Sequence, residues 1–121
     1  FIMKKNILIA LVFIGTIAYA QNSNLPEIES KGDLTFATYF HENGAIQQEG
    51  AFNKSGTLEG LWTSYDFNGN KLAQGYYNNG VKTGKWFFWS KNSLKEVDFV
   101  DSKITSVNEW NNKSELAITM K

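Results

Sequence analysis

Gly60-Leu61-Trp62 and Gly84-Lys85-Trp86 place the same Gly-x-Trp step 24 residues apart, and Trp110 falls 24 residues further on. Self-similarity at a fixed period of this size marks a repeat architecture, in which each unit buries its apolar side only by stacking on its neighbours. Around these steps the chain carries aromatic and β-branched residues broken by Asn and Gly, and apolar positions do not return every three to four residues. That pattern argues against helix and predicts short strands joined by hairpins. A stack of small β-units offers a surface more readily than an enclosed catalytic pocket.

Strands are predicted at 34–40, 45–52, 59–67, 71–77, 84–89, 94–100 and 103–110. They imply an all-β fold, an elongated antiparallel meander of stacked hairpins in a single twisted sheet of about seven strands. Asn-Gly stands at three of the turns, Asn43-Gly44, Asn68-Gly69 and Asn79-Gly80. This pair favours a type I′ turn, which needs positive φ at both central residues. The strand at 84–89 places Trp86 and Phe88 on one parity and Phe87 and Trp89 on the other, so aromatic rings are expected on both faces of a thin sheet. Trp62, Trp86, Trp89 and Tyr65 are expected to form an aromatic core ladder. Gly60 and Gly84, just ahead of the tryptophans, are expected to leave bare backbone on which a neighbouring ring can lie.

Stability must come from packing, because the chain has no cysteine and therefore no disulfide. Fifteen Phe, Tyr and Trp residues between Phe36 and Trp110 supply large apolar areas for that purpose. The first residues read as an address. Met3-Lys4-Lys5 is basic, Ile7 to Ile17 is apolar, and Ala18-Tyr19-Ala20 supplies small residues ahead of a cut before Gln21. This is the three-part pattern of a secretory signal peptide, and its apolar run is shorter than the roughly 20 residues that span a bilayer. The expected organisation is a signal peptide over 1–20 with the start at Met3, a flexible tether over 21–33, a β-repeat domain over 34–110 and a polar tail over 111–121. The expected location is the periplasm or the cell exterior. Removing Lys4 and Lys5 from twelve lysines leaves ten against twelve acidic residues, with no arginine, a formal charge of −2. A nucleic-acid partner normally requires a basic face, so none is expected.

Gly75-Tyr76-Tyr77-Asn78-Asn79-Gly80-Val81-Lys82-Thr83-Gly84-Lys85-Trp86 resembles the MORN repeat in its degenerate bacterial form. Gly50, Phe52, Gly56, Gly60 and Trp62 occupy the corresponding places of a preceding copy. A worn third copy ends at Trp110, with Val97 where Gly75 stands and Asn108 where Gly84 stands. The resemblance covers 36–110, most closely 50–89, and its structural positions are Gly50, Gly60, Trp62, Gly75, Gly84, Trp86 and Trp110. It implies a hairpin stack serving as a scaffold or binding surface, sometimes at membranes. Small bacterial proteins of this look include exported ones and others classed as antitoxin-like.

Catalytic groups are sparse. His41 is the only histidine, beside the Asn43-Gly44 turn, and is expected to be a solvent-exposed loop residue. Glu96, Asp98 and Asp101 form a small acidic cluster, expected to face water on an edge-like strand. One histidine and no cysteine offer little for a zinc site, and there is neither a Gly-x-Ser-x-Gly elbow nor a Gly-rich phosphate loop. A nicotinate-nucleotide adenylyltransferase would need a paired-histidine phosphate motif and an α/β nucleotide-binding sheet, and the residues supply neither. No enzyme activity, cofactor or metal is expected. The expected role is a non-catalytic binding scaffold for a protein or envelope component. An antitoxin-like inhibitor of a partner toxin, a carbohydrate-binding surface and lipid binding are the alternatives. Tyr76, Tyr77, Phe87 and Trp89 are the candidate contact residues, because large aromatics are enriched where binding energy concentrates.

Overall fold

A computed structural model describes residues 24–111, so the expected signal peptide over 1–20 and the tail beyond Asn111 lie outside the described residues. Eight strands follow one another in chain order: β1 (Glu27–Lys31), β2 (Leu34–Phe40), β3 (Ile46–Phe52), β4 (Leu58–Tyr65), β5 (Lys71–Asn78), β6 (Val81–Ser90), β7 (Ser93–Val100) and β8 (Lys103–Trp110). Each pairs antiparallel with the next, giving one open meander sheet. Seven of these strands stand where the aromatic and branched runs predict them. The eighth, β1, lies inside the segment expected to be a tether. It pairs with β2 from Glu27↔Thr38 to Lys31↔Leu34. All five of its residues are exposed, so an edge strand of this kind has no apolar alternation to read.

The turns correct the expectation of three type I′ hairpins. Only Asn79-Gly80 has positive φ at both residues, 53° and 86°. At Asn43-Gly44 and Asn68-Gly69 the glycine alone is left-handed. There the hydrogen bonds close a longer loop, His41 N to Ala45 O and Gly44 N to His41 O, repeated from Asp66 N to Asn70 O and Gly69 N to Asp66 O. This is the three-residue loop in which a type I turn ends in a left-handed residue. Asp66 helps select it, since its Oδ1 accepts from Asn68 N and Asn70 N, both at 2.9 Å. A side chain that satisfies turn amides in this way competes with the two-residue alternative.

The Gly-x-Trp steps are bulges. On β3 and β4, Glu49 faces Thr63 and Ala51 faces Glu59, so Gly60, Leu61 and Trp62 together lie opposite Gly50. On β5 and β6, Gln74 faces Phe87 and Tyr76 faces Thr83, so Gly84, Lys85 and Trp86 lie opposite Gly75. Two inserted residues keep the strand's alternation in phase, and Gly60 and Gly84 carry the positive φ of the bulge, 80° and 72°. The expected roles of the glycines are therefore exchanged. Nothing lies within 4 Å of a Cβ built on Gly60 or Gly84, whereas one built on Gly50 would meet Trp62 Cδ2 at 2.1 Å and one on Gly75 would meet Trp86 Cδ2 at 2.0 Å. The bulge glycine turns the chain, and the glycine on the preceding strand is the seat for the indole.

Each indole is also tied by its N–H. Trp62 Nε1 donates to Ala51 O at 2.9 Å and Trp86 Nε1 donates to Tyr76 O at 3.1 Å. In both units the acceptor is the residue after the seat glycine, and the ring two residues after the seat packs edge-on. Phe52 meets Trp62 at 5.3 Å between centroids and Tyr77 meets Trp86 at 5.1 Å. Residues directly opposite in an antiparallel sheet share a face, so the register aligns one row across it: Ile28, Ala37, Gly50, Trp62, Gly75, Trp86, Val97, Val107. Small and large residues alternate through the middle of that row, and it forms a core on a sheet that, among the described residues, has no second layer. Trp62 and Trp86 are 6% and 5% exposed.

Trp110, expected as the third copy of this device, departs from it. It pairs with Leu94, which pairs with Trp89, so it lies on the face opposite Trp62 and Trp86. With Val97 in place of a seat glycine there is no bare backbone for an indole, and β7 and β8 are offset only by a register shift between Asp98 and Phe99.

Candidate functional site

Bulges and seated rings divide the sheet into two unlike faces. The core face carries an open groove of about 360 Å³ walled by Tyr39, Phe52, Leu58, Trp62, Tyr77 and Trp86, with Gln48, Ser64 and Ala73 on its floor. Its polar groups are an amide and hydroxyls, and no ionisable acid or base pair converges there. Its two indoles are spent on internal packing. Lys82 Nζ lies 5.6 Å from the Trp86 centroid and 5.6 Å from that of Phe99, which adds a favourable cation–ring contact to the same cluster.

The other face holds three of the four candidate contact rings. Leu61 pairs with Tyr76, and Gln74, two residues before Tyr76 and on the same face, pairs with Phe87. Phe87 and Trp89 stack with centroids 5.9 Å apart, and Lys71 Nζ lies 5.7 Å from the Trp89 ring. Tyr76 is 53% exposed, Leu61 44% and Leu72 43%, while Phe87 and Trp89 are half-buried. Tyr77 does not belong with them: it lies on the core face against Trp86. Leu61 and Leu72 join the stripe although residue type alone did not single them out. The usable signal was the parity Leu61 shares with Tyr65, combined with the register that sets it against Tyr76.

His41 corrects the expectation of a free loop residue. Its Nε2 lies 2.9 Å from Tyr65 O and its ring packs on Phe67 at 4.2 Å. Asn43 Nδ2 donates to Phe67 O at 3.0 Å. The turn after β2 thus stacks on the turn after β4, at the same 24-residue spacing as the tryptophans. Tyr65 in turn donates to Glu49 Oε2 at 3.0 Å. Burial first, and then that bond and the Glu49 charge, push its phenol above the ordinary 10.0, so it is a neutral donor at physiological pH.

The acidic cluster is not on an edge. β7 is paired on both sides, and Lys85 Nζ sits between two of its carboxylates, 2.9 Å from Glu96 Oε2 and 3.0 Å from Asp98 Oδ1. Asp101 lies apart in the following turn. Ser106 Oγ donates to Asp98 Oδ2 at 2.7 Å. That hydroxyl first, and Lys85 second, hold the Asp98 carboxyl below its ordinary 3.8, while the bonds to Glu96 and Asp98 raise Lys85 above 10.5. Stability linked to Asp98 is therefore present above about pH 3.8 and is lost as pH falls through its lowered value. Stability linked to Lys85 is present below 10.5 and is lost as pH rises through its raised value. A carboxyl-carbon NMR titration is expected to place Asp98 below 3.8 and to move it upward in both Ser106→Ala and Lys85→Met. An Asp98 carboxyl that does not move in one of the variants would show that this partner does not hold it down.

Among the described residues no group of three His, Asp, Glu or Cys side chains gathers as metal ligands would. No protein-family model matches the chain, and no curated protein matches it.

Proposed function

We propose that this chain is a non-catalytic, exported, MORN-like recognition module that presents one sheet face to another protein or to a component of the cell envelope. The observation that carries this reading is the apolar stripe of Leu61, Tyr76, Phe87, Leu72 and Trp89 on the face without the core row. Apolar and aromatic residues grouped on one face, with Leu61, Leu72 and Tyr76 exposed and Phe87 and Trp89 half-buried, suit an interaction surface, and rigid tyrosine and tryptophan rings contribute binding area at small entropic cost. The opposite face already spends its indoles on seat glycines, so a sugar stacking on Trp62 or Trp86 would find no free ring. An antitoxin-like role would be a case of the same surface meeting a toxin, and the identity of the bound partner separates the two.

The test is a pull-down with residues 21–121 against solubilised envelope proteins of the host, with liposomes in parallel. The expected result is one stoichiometric protein, depleted about tenfold by Leu61→Ser with Tyr76→Ser, a loss of about 1.4 kcal/mol. Both side chains are exposed, so the fold should survive. Undiminished capture by the double variant would place the contact elsewhere, and binding to liposomes alone would move the role to the membrane surface.

A further inference from the structure

Taking the recognition role proposed above as given, we propose that the occupant of the Leu61, Tyr76 and Phe87 stripe is a cationic protein segment, with lysine or arginine beside apolar side chains. Charge is divided unevenly between the two faces of β3 to β7. Glu49, Thr63, Gln74, Phe87 and Glu96 stand opposite one another in turn across these strands, and residues paired in this way share a face. Glu59 joins that face two residues before Leu61, and Asp98 joins it opposite Lys85. Every carboxylate of the five strands therefore lies on the side of the stripe. The core face of the same strands carries Lys82, opposite Tyr77, and Lys95, opposite Phe88, and no acid.

The carboxylates fall into two pairs. Glu96 and Asp98 share Lys85. Glu49 and Glu59 are half-buried and, among the described residues, enter no ion pair. Their partners are neutral donors: Tyr65 Oη donates to Glu49 Oε2 at 3.0 Å, and Asn79 N donates to Glu59 Oε1 at 2.8 Å. These bonds aim the two side chains without cancelling their charge. Covering a half-desolvated carboxylate with an apolar or anionic surface is unfavourable, whereas a cation placed beside it offsets the lost hydration.

The position of the two carboxylates ties that charge to the stripe. Glu59 and Thr63 flank Leu61 two residues away along β4, and Thr63 faces Glu49 on β3. A partner seated on Leu61 and Tyr76 thus meets both acids along one edge of its footprint. Tyr76 is exposed, and its ring offers an ammonium or guanidinium a further favourable contact. The other lysine on this side, Lys71, already lies over Trp89. The acidic excess also selects between sources of an apolar partner, because anionic lipid surfaces attract basic segments and repel acidic ones.

The experiment measures, by fluorescence anisotropy, binding to the full chain of three short peptides with the same leucine spacing and lysine, serine or glutamate between the leucines. The lysine peptide is expected to bind tightest and to weaken as salt is raised. Glu49→Gln with Glu59→Gln should weaken it at least about tenfold. Glutamine keeps the oxygen that accepts from Tyr65 and from Asn79, so the substitution removes charge and leaves the bonds. Undiminished affinity in this variant, or equal binding of the glutamate peptide, would overturn the proposal. Failure of the lysine peptide to bind would overturn it too, and the recognition role itself would fall only if the envelope pull-down were also empty. Loss of binding in Leu61→Ser with Tyr76→Ser, but not in the glutamine variant, would leave the surface standing with a neutral partner. Phosphatidylglycerol vesicles should not be retained, and vesicle binding blocked by the serine substitutions would assign the stripe to lipid instead. Sedimentation showing self-association that the same serine substitutions abolish would assign it to a second copy and likewise overturn the proposal.

Discussion

Gly75→Ala is expected to destabilise the sheet by about 3 kcal/mol or more, at or beyond the upper end of ordinary overpacking. The added carbon would stand 2.0 Å from Trp86 Cδ2 and 2.2 Å from Cε2. Neither partner can retreat cheaply. The indole is pinned by its bond to Tyr76 O and by Tyr77, Phe88 and Phe99 around it. The glycine is paired with Trp62 on one side, and on the other its neighbours Gln74 and Tyr76 are paired with Phe87 and Thr83. Gly84→Ala makes the contrast, because its Cβ would meet nothing within 4 Å and the only cost is a left-handed φ of 72°. That penalty is roughly 1–2 kcal/mol. Urea denaturation of the two variants measures the difference, and equal losses would sink the seat-and-ring account. A double-mutant cycle sharpens it: in a Trp86→Leu background Gly75→Ala should cost much less, since the atoms it strikes are gone.

The exchange of roles between the two kinds of glycine shows where the sequence stops being legible. Spacing alone reveals the repeat, the hairpins and the meander, because Gly-x-Trp at a 24-residue period and Asn/Gly turns are local signals. Which glycine underlies the indole depends on register, and register here hinges on bulges that place three residues against one. Periodicity would count those residues as ordinary strand. Trp110 was lost for the same reason, since a smaller register shift between Asp98 and Phe99 and the absence of a seat glycine leave it on the other face. His41 could have been found. It lies 24 residues from Tyr65, and turns stack at the repeat period just as strands do. The strand β1 could not, because an exposed edge needs no apolar pattern and EIESK offers none. The candidate contact rings were legible as types but not as a surface: parity separates Tyr76 from Tyr77, and only pairing joins Tyr76 to Leu61.

Trp86→Ala is expected to cost about 3–5 kcal/mol, the range for deleting a large ring from a core. A marginally stable domain has only about 5–15 kcal/mol in all, so most of its margin would go. The same substitution at Trp110 should cost far less, although all three tryptophans share one spacing. Trp110 is half-buried, has no seat glycine, and lies outside the core row. Trp62→Ala should fall between them. Trp62 is as buried as Trp86 and keeps the same indole bond, to Ala51 O. Among the described residues, however, its one ring partner is Phe52, where Trp86 meets Tyr77, Phe88 and Phe99 and lies under Lys82. Thermal or urea unfolding of the three alanine variants gives the order directly. A Trp110 variant as damaged as Trp86 would mean that spacing governs the energetics. The order Trp86, Trp62, Trp110 would mean that the seat and its ring neighbours do. Trp86→Phe separates the remaining terms, because it keeps a ring over Gly75 but leaves the Tyr76 carbonyl without its indole donor, at a cost of about 1–3 kcal/mol. Recovery of most of the alanine loss by phenylalanine would assign the larger share to packing on the glycine and the smaller to the hydrogen bond.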